Sequence, residues 1–135
     1  MKKTKCLRNL SELGMGDCFN FPKPVSLIAI LLKLLDLKND IILDFFAGSG
    51  TTAQAVMELN AEDNGNRRFI LVQLPEEIKE AKSKTAYDFV KNVLGKDEPK
   101  ISDITQERII RASKQIQEKY PEYKGDLGFQ VWEEI

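Results

Sequence analysis

The chain has 135 residues, of which 42% are hydrophobic, and its 20 basic and 21 acidic side chains nearly balance. This is the size and composition of one globular domain, and the charge gives no sign of a nucleic-acid backbone as partner, so any basic surface must be local. Histidine is absent, which excludes serine–histidine–aspartate and cysteine–histidine catalysis and most zinc sites. The two cysteines, Cys6 and Cys18, form neither a disulfide framework nor a metal-ligand spacing, which indicates a reducing compartment.

Neither a membrane span nor a secretory leader is predicted. The longest apolar run, at 25–35, is interrupted by Lys33 and is shorter than the about 20 residues that cross a bilayer. The lysines near the start are not followed by an apolar stretch. We therefore expect a cytoplasmic protein without a membrane partner.

The first half of the chain predicts a helix, a strand and a second helix. Residues 1–18 read as a loosely ordered lead-in, and a helix is predicted at 24–37 after the prolines of the segment FNFPKP. Because that helix is apolar nearly all round, it should be buried on more than one side. A short buried strand is predicted at 41–45, and a glycine turn then opens a helix at 48–59.

The second half predicts a second apolar strand, two amphipathic helices and an alternating segment that reads as a strand, at 67–74, 75–94, 103–120 and 127–135. Asp103 and Gln106 resemble a capping box at the start of the last helix. Apolar strands that alternate with helices pair in parallel, so the fold class is α/β. Two or three strands make an incomplete sheet.

The glycine turn is the strongest local signal for a ligand. Gly48-Ser49-Gly50-Thr51-Thr52-Ala53 fits G-x-G-x-x-(G/A) between a strand and a helix, where glycine lets a ligand approach and the helix offers unpaired N–H groups. It lacks the lysine of a P-loop. Asp44 precedes the turn, and its carboxylate would repel a pyrophosphate but pair with an ammonium group. This favours S-adenosylmethionine over NAD, with a structural turn capped by Asp44 as the alternative.

Four segments then carry a resemblance to a known family. In chain order they are FNFPKP, LDFFAGSGTTAQAV, NRRFILVQLPE and ISDITQERIIRA, at 19–24, 43–56, 66–76 and 101–112. Together they resemble the C-terminal part of the β-class adenine-N6 DNA methyltransferases (Mod subunits) of type III restriction–modification systems. The resemblance implies that residues 19–135 are the cofactor-binding part of a methyltransferase domain, with a partial Rossmann-like fold.

The resemblance also implies which residues hold S-adenosylmethionine, without assigning a catalytic or metal-binding residue in this chain. The implied cofactor residues are Phe21, Lys23, Pro24, Asp44, Phe45, Ala47, Gly48, Gly50, Thr51, Gln73 and Glu76. Lys23 would suit the carboxylate of the methionine moiety. The ribose position is open between Gln73, an amide where the family has an acid, and Glu76.

The family activates the adenine amino group with an Asp-Pro-Pro-Tyr type segment, and no such tetrapeptide occurs in this sequence. No target-recognition region is recognisable either, and in the family both precede the segment at 19–24. We therefore expect a cofactor-binding portion that does not methylate alone. A complete enzyme would transfer the methyl group in line from the sulfonium to adenine N6.

The partners implied are DNA through the missing upstream segments, a restriction subunit, and either a second copy or an upstream methyltransferase fragment. Two other functions remain open: a nicotinamide-dinucleotide-binding fragment, which Asp44 disfavours, and a non-enzymatic remnant or subunit-interaction module. Two arginine pairs, Arg67-Arg68 and Arg108-Arg111, are expected in solvent. One of the adjacent aromatic residues at 45 and 46 is expected in the core.

Overall fold

A computed structural model describes residues 5–133, with side chains from residue 9 onward. The elements in chain order are α1 (Lys5–Glu12), α2 (Val25–Leu34), β1 (Ile41–Asp44), α3 (Thr51–Asp63), β2 (Arg68–Leu71), α4 (Lys84–Asp88) with a π-helical continuation (Phe89–Val93), and α5 (Ile101–Lys119). Within these described residues, no helix is long and apolar enough to span a membrane.

The two strands pair in parallel across the α3 crossover, as the sequence predicts. Ile41 is the register partner of Arg68, and Asp44 is the partner of Leu71. Both strands are shorter than predicted, and neither is fully buried. Their side chains alternate between an exposed and a half-buried face, because helices cover one face of the sheet only. This confirms the α/β class, with a two-stranded sheet in the described residues.

The main core lies where α1, α3 and α5 meet, and residues 10–18 contribute to it. Leu10 and Met15 are fully buried, and Cys18 is nearly so. They pack in one cluster with Ala53 and Met57 of α3 and with apolar side chains of α5. Leu10, Leu13, Met15 and Cys18, at the end of the segment predicted to be loosely ordered, are therefore packed in the core.

The prediction that α2 is buried on more than one side is wrong. Only Val25 and Leu32 are buried, and Leu32 packs against Val56 and Leu59 of α3. The outer face of α2 is apolar and exposed, and consists of Leu27, Ile30, Leu31, Leu34 and the following Leu35. An all-round apolar sequence predicts burial, but α3 is the only helix packed closely on α2 in the part of the chain that the structure describes.

Two further predictions are wrong for the second half. Residues 75–83 do not begin a helix, because their backbone pairs with the segment before α5: Ile78 N–H donates to the Pro99 carbonyl at 2.8 Å, and Ile101 N–H to the Glu76 carbonyl at 2.9 Å. Helix α4 begins only at Lys84. The predicted strand in the tail is not formed within residues 121–133, the last that the structure describes.

Helix α5 begins two residues before the predicted capping box. Asp103 accepts a hydrogen bond from the N–H of Lys100 at 2.8 Å, so Lys100 is the N-cap and Gln106 is not the partner in the box. The helix ends at Lys119, before Pro121, as predicted. Its buried side comprises Ile104, Thr105, Arg108, Ile109, Ala112 and Ile116.

Candidate functional site

The glycine turn follows β1, and both of its glycines have positive φ angles, +53° at Gly48 and +82° at Gly50. The Gly50 N–H donates to the Ala47 carbonyl at 2.8 Å, which closes the turn. A Cβ atom at Gly50 would lie 3.2 Å from the Thr105 carbonyl oxygen, and one at Gly48 would lie 3.4 Å from the Phe19 ring. The positive φ angles favour glycine at both positions, and at Gly50 the space for a side chain is also tight.

Asp44 links the end of β1 to both sides of the turn. One carboxylate oxygen accepts the Phe46 N–H at 2.9 Å, and the other accepts the Thr52 hydroxyl at 2.6 Å. This is the capping geometry of the structural alternative. No cation forms an ion pair with Asp44 in the described part of the chain, so its charge lies half-buried beside the turn without a positive partner.

Gln73 holds the turn from the β2 side. Its amide oxygen accepts the Gly48 N–H at 2.8 Å, and its amide nitrogen donates to the Leu74 carbonyl at 3.1 Å. The backbone adds a second tie, from the Ala47 N–H to the Val72 carbonyl at 3.1 Å. The side chain suggested for a ribose hydroxyl is thus already engaged within the protein.

The segment FNFPKP lies against the start of α3. The Thr51 hydroxyl donates to the Lys23 carbonyl at 3.1 Å, while the Lys23 side chain is exposed. Phe21 is 85% exposed, and Pro24 occupies the N-cap position of α2. The proline-fixed backbone therefore lies on the turn, with the side chains of Lys23 and Phe21 in solvent, whereas the Phe19 ring packs against the core.

Two residues of α5, which the sequence reading did not assign to the site, hold the turn from its buried side. The Thr105 hydroxyl donates to the Gly48 carbonyl at 2.5 Å. The Arg108 Nη1 donates to the Ser49 hydroxyl at 2.6 Å and to the Thr51 hydroxyl at 2.9 Å. Helical spacing could have predicted that both residues face the interior, because Thr105 and Arg108 fall on the same stripe as Ile104, Ile109 and Ala112.

Of the four arginines expected in solvent, three are not exposed. Arg67 and Arg108 are buried, whereas Arg68 is exposed as predicted. Arg111 is partly buried and forms an ion pair with Glu107 at 2.6 Å. Neither aromatic residue after β1 is in the core, since Phe45 is 63% exposed and Phe46 is 90% exposed.

An open cleft of about 870 Å³ adjoins the turn across the Phe19 ring. Phe21 and Glu76 line it, together with Cys18 and Ile78. Burial raises the pKa of the Cys18 thiol to about 11, so the thiol is protonated at neutral pH and is a poor nucleophile. Among the described residues, no side chain pairs with the Glu76 carboxylate, which is exposed at the rim.

The predicted site residues thus fall into two groups. One is a hydrogen-bonded unit around the turn, formed by Lys23, Asp44, Ala47, Gly48, Gly50, Thr51 and Gln73. The other lies on the cleft and comprises Phe21 and Glu76. Pro24 and Phe45 directly follow two members of this unit, Lys23 and Asp44, in the chain. This arrangement suits a ligand with an ammonium group and a planar ring, because it combines the Asp44 carboxylate, which forms no ion pair among the described residues, with exposed aromatic rings and a glycine turn.

Comparison with known proteins adds the family. A family described as DNA methylase matches residues 2–86. The StyLTI Mod subunit, a type III restriction-modification enzyme of Salmonella typhimurium, is 37% identical over 90% of this chain and 17% of its own length. The EcoPI Mod subunit of Escherichia phage P1 is 50% identical over 58% of this chain and 12% of its own. The type II methyltransferase M.KpnI of Klebsiella pneumoniae is 35% identical over 89% of this chain and 26% of its own.

The chain therefore spans between 12% and 26% of the length of these three relatives. The family match includes the segment FNFPKP, β1, the glycine turn, α3 and β2. Because it extends over more than half of the sequence, the chain belongs to the DNA methylase family, with relatives that include Mod subunits of type III restriction-modification enzymes.

Proposed function

We propose that this chain is the S-adenosylmethionine-binding portion of an adenine-N6 DNA methyltransferase of a type III restriction–modification system, with a partial Rossmann-like fold. Family membership and the Mod-subunit relatives support the reaction class. The observation that carries the proposal is the Asp44 carboxylate, fixed by two hydrogen bonds beside a glycine turn and lacking a cation among the described residues. Such a carboxylate is ready to receive an ammonium group.

The donor set fits the chemistry of this cofactor. Asp44 would pair with the α-ammonium group, and the exposed Lys23 ammonium would pair with the carboxylate of the same methionine moiety. Phe21 and Phe45 offer exposed aromatic faces for the adenine ring. When bound, the cofactor supplies a methyl group on a sulfonium, which is already an activated leaving group.

The buried members of the site would act on the shape of the turn. Ala47, Gly50 and Thr51 are buried and form its inner side. Gly48 is half-buried, and its N–H is held by Gln73 at 2.8 Å. Because that contact occupies Gln73, we assign the ribose hydroxyls to Glu76, whose carboxylate lies on the cleft that Phe21 also lines.

Methylation would require more than this chain. The sequence contains no Asp-Pro-Pro-Tyr type segment to accept the protons of the adenine amino group. We propose that such a segment, together with the DNA-contacting region, is supplied from outside these 135 residues. The relatives' names further support a place in a modification subunit that works with a restriction subunit.

Isothermal titration with S-adenosylmethionine tests the proposal, with NAD as the comparison ligand. We expect the wild-type chain to bind S-adenosylmethionine and not NAD. The Asp44→Asn variant removes the charge but keeps the shape, so its Kd should rise about tenfold or more. Asp40→Asn is the matched control, since Asp40 is an exposed carboxylate just before β1, and its Kd should not change.

Two results would contradict the proposal. Binding of NAD in place of S-adenosylmethionine would favour the dinucleotide-binding alternative. Absence of binding to either ligand would favour the alternative in which Asp44 merely caps a structural turn and the chain serves as an interaction module.

A further inference from the structure

Helix α5 supplies two side-chain donors, Thr105 and Arg108, to oxygen atoms on the buried side of the turn. Thr105 and Arg108 lie one helical turn apart and reach residues more than fifty positions earlier in the chain. Thr105 holds the Gly48 carbonyl, and Arg108 holds the hydroxyls of Ser49 and Thr51. The turn is thus held on one side by Gln73, which follows β2, and on the other side by α5.

Burial of the Arg108 guanidinium at this position is energetically unfavourable. Its side chain is fully buried and has no ion-pair partner in the described structure. Its Nε donates to the Gln54 amide oxygen at 3.0 Å, and its Nη2 has no hydrogen-bond partner among the described residues. Burial lowers the pKa of Arg108 to about 10, so the guanidinium remains charged at neutral pH. A buried cation without an ion pair is generally less favourable than an apolar side chain of similar volume.

Burial lowers the pKa of Arg108 more than Glu58 raises it, so the surroundings still disfavour the charged form. Arg108 bonds to Thr51, the first residue of α3, and a helix N-terminus carries a partial positive charge. The cation therefore lies at the unfavourable end of the helix. What the guanidinium provides there is geometry, since its fork of donors reaches Ser49 and Thr51 from one nitrogen and Gln54 from another.

We infer that Thr105 and Arg108 are positioning residues that fix the glycine turn in the conformation needed for the cofactor. The inference rests on the proposed function for its ligand. Neither residue needs to touch the cofactor, because both bond to the inner side of the turn. The Thr105 carbonyl oxygen would lie 3.2 Å from a Cβ at Gly50, so α5 closely approaches the glycine whose φ angle is +82°.

The test uses two pairs of variants and two readouts. Thr105→Val removes the hydroxyl at constant shape, and Thr105→Ser keeps it. Arg108→Met removes the donors, with Arg111→Met as the control on the same helix, because Arg111 bonds to the carbonyls of Leu13 and Gly14 instead of the turn. The first readout is the amide exchange rate of Gly48 and Gly50 by NMR, referenced to the Arg68 amide at the far end of the sheet. The second is the Kd for S-adenosylmethionine.

We expect exchange at Gly48 and Gly50 to be about tenfold faster in Thr105→Val and Arg108→Met, with the Arg68 amide unchanged. The Kd should rise by a similar factor in both variants. Thr105→Ser and Arg111→Met should resemble the wild type in both readouts. A purely structural role would lower the melting temperature while leaving the affinity of the folded protein and the local exchange unchanged.

The outcomes separate this inference from the proposed function. Unchanged exchange at both glycines in Thr105→Val overturns the positioning role, even if Arg108→Met fails to fold. Faster exchange with an unchanged Kd overturns the link to the cofactor. If the wild type does not bind S-adenosylmethionine at all, the proposed function fails, and the exchange rates still decide whether α5 fixes the turn.

Discussion

Gly50 and Gly95 both have left-handed backbone conformations, with φ angles of +82° and +70°, but their surroundings differ. A Cβ at Gly50 would lie 3.2 Å from the Thr105 carbonyl oxygen, whereas a Cβ at Gly95 would meet nothing within 4 Å. We expect Gly95→Ala to lower the free energy of unfolding by about 1 kcal/mol, the cost of the left-handed conformation. Gly50→Ala should cost about 2 kcal/mol or more, because it adds a clash. Urea denaturation of both variants measures the difference, and equal losses would contradict the close packing of α5 on the turn.

At the scale of single residues, the sequence predicts the features that depend on local chemistry. A glycine pattern between a strand and a helix, and an aspartate at the strand end, lie where they were expected. Arg108 was not predicted to be buried, because a charged side chain is normally assigned to solvent. Its burial follows from tertiary contacts with Ser49, Thr51 and Gln54, more than fifty residues away, which a linear pattern does not reveal.

Arg67, directly before β2, links the end of α3 to the sheet through hydrogen bonds. Its guanidinium forms two hydrogen bonds with the Asp63 carboxylate, at 2.9 and 2.8 Å, and its Nε donates to the Leu37 carbonyl at 2.5 Å. Asn60 completes the contact by bonding to both the N–H and the carbonyl of Arg67. The end of α3, the start of β2 and the loop before β1 therefore share one buried arginine.

We expect Arg67→Met to lower the free energy of unfolding by about 2–3 kcal/mol at pH 7, since it leaves buried acceptors unpaired. The Arg67 hydrogen bonds hold the pKa of Asp63 below its ordinary value of 3.8. A carboxyl with a depressed folded-state pKa stabilises the fold above its unfolded pKa, and this stabilisation is lost as the pH falls through the folded value. The difference between wild type and variant should therefore shrink below about pH 4. Urea titrations across this pH range measure the difference in the free energy of unfolding, with the exposed Arg68→Met as control. A difference that does not depend on pH would contradict a stabilising ion pair between Arg67 and Asp63.

At the scale of elements, α3 forms where the glycine turn predicts its start, although it is buried nearly all round. Helix periodicity predicts α5 well, because that helix has one polar and one apolar side. It fails for α2 and for residues 75–83. An apolar helix is expected to be enclosed, yet α2 packs closely only on α3 within the described residues. The segment at 75–83 has helix-like spacing, but residues 76–78 pair with 99–101 in an extended form and a turn follows at 79–83. Long-range pairing of this kind overrides local propensity.

Taken as a whole, the described structure leaves two apolar surfaces uncovered. One is the open face of the sheet, where Ile41, Leu43 and Ile70 are each about half exposed. The other is the outer face of α2, where Leu34 is 77% exposed. The free edges of a two-stranded sheet add unpaired backbone groups. Surfaces of this kind favour association with another chain or a second copy.

We expect the isolated chain to self-associate through the open sheet face, so that its apparent mass in analytical ultracentrifugation rises with concentration. Leu43 and Ile70 are register partners on adjacent strands, and changing both to threonine keeps the β propensity while making the face polar. The double variant should remain folded, because exposed substitutions usually change stability by about 0.5 kcal/mol or less, and it should associate less than the wild type. The matched control replaces Leu34 and Leu35 of the α2 surface by glutamine, which should leave the association unchanged. Loss of association only in this control would assign the contact to α2, and a wild-type chain that stays monomeric at every concentration would contradict the expectation for both surfaces.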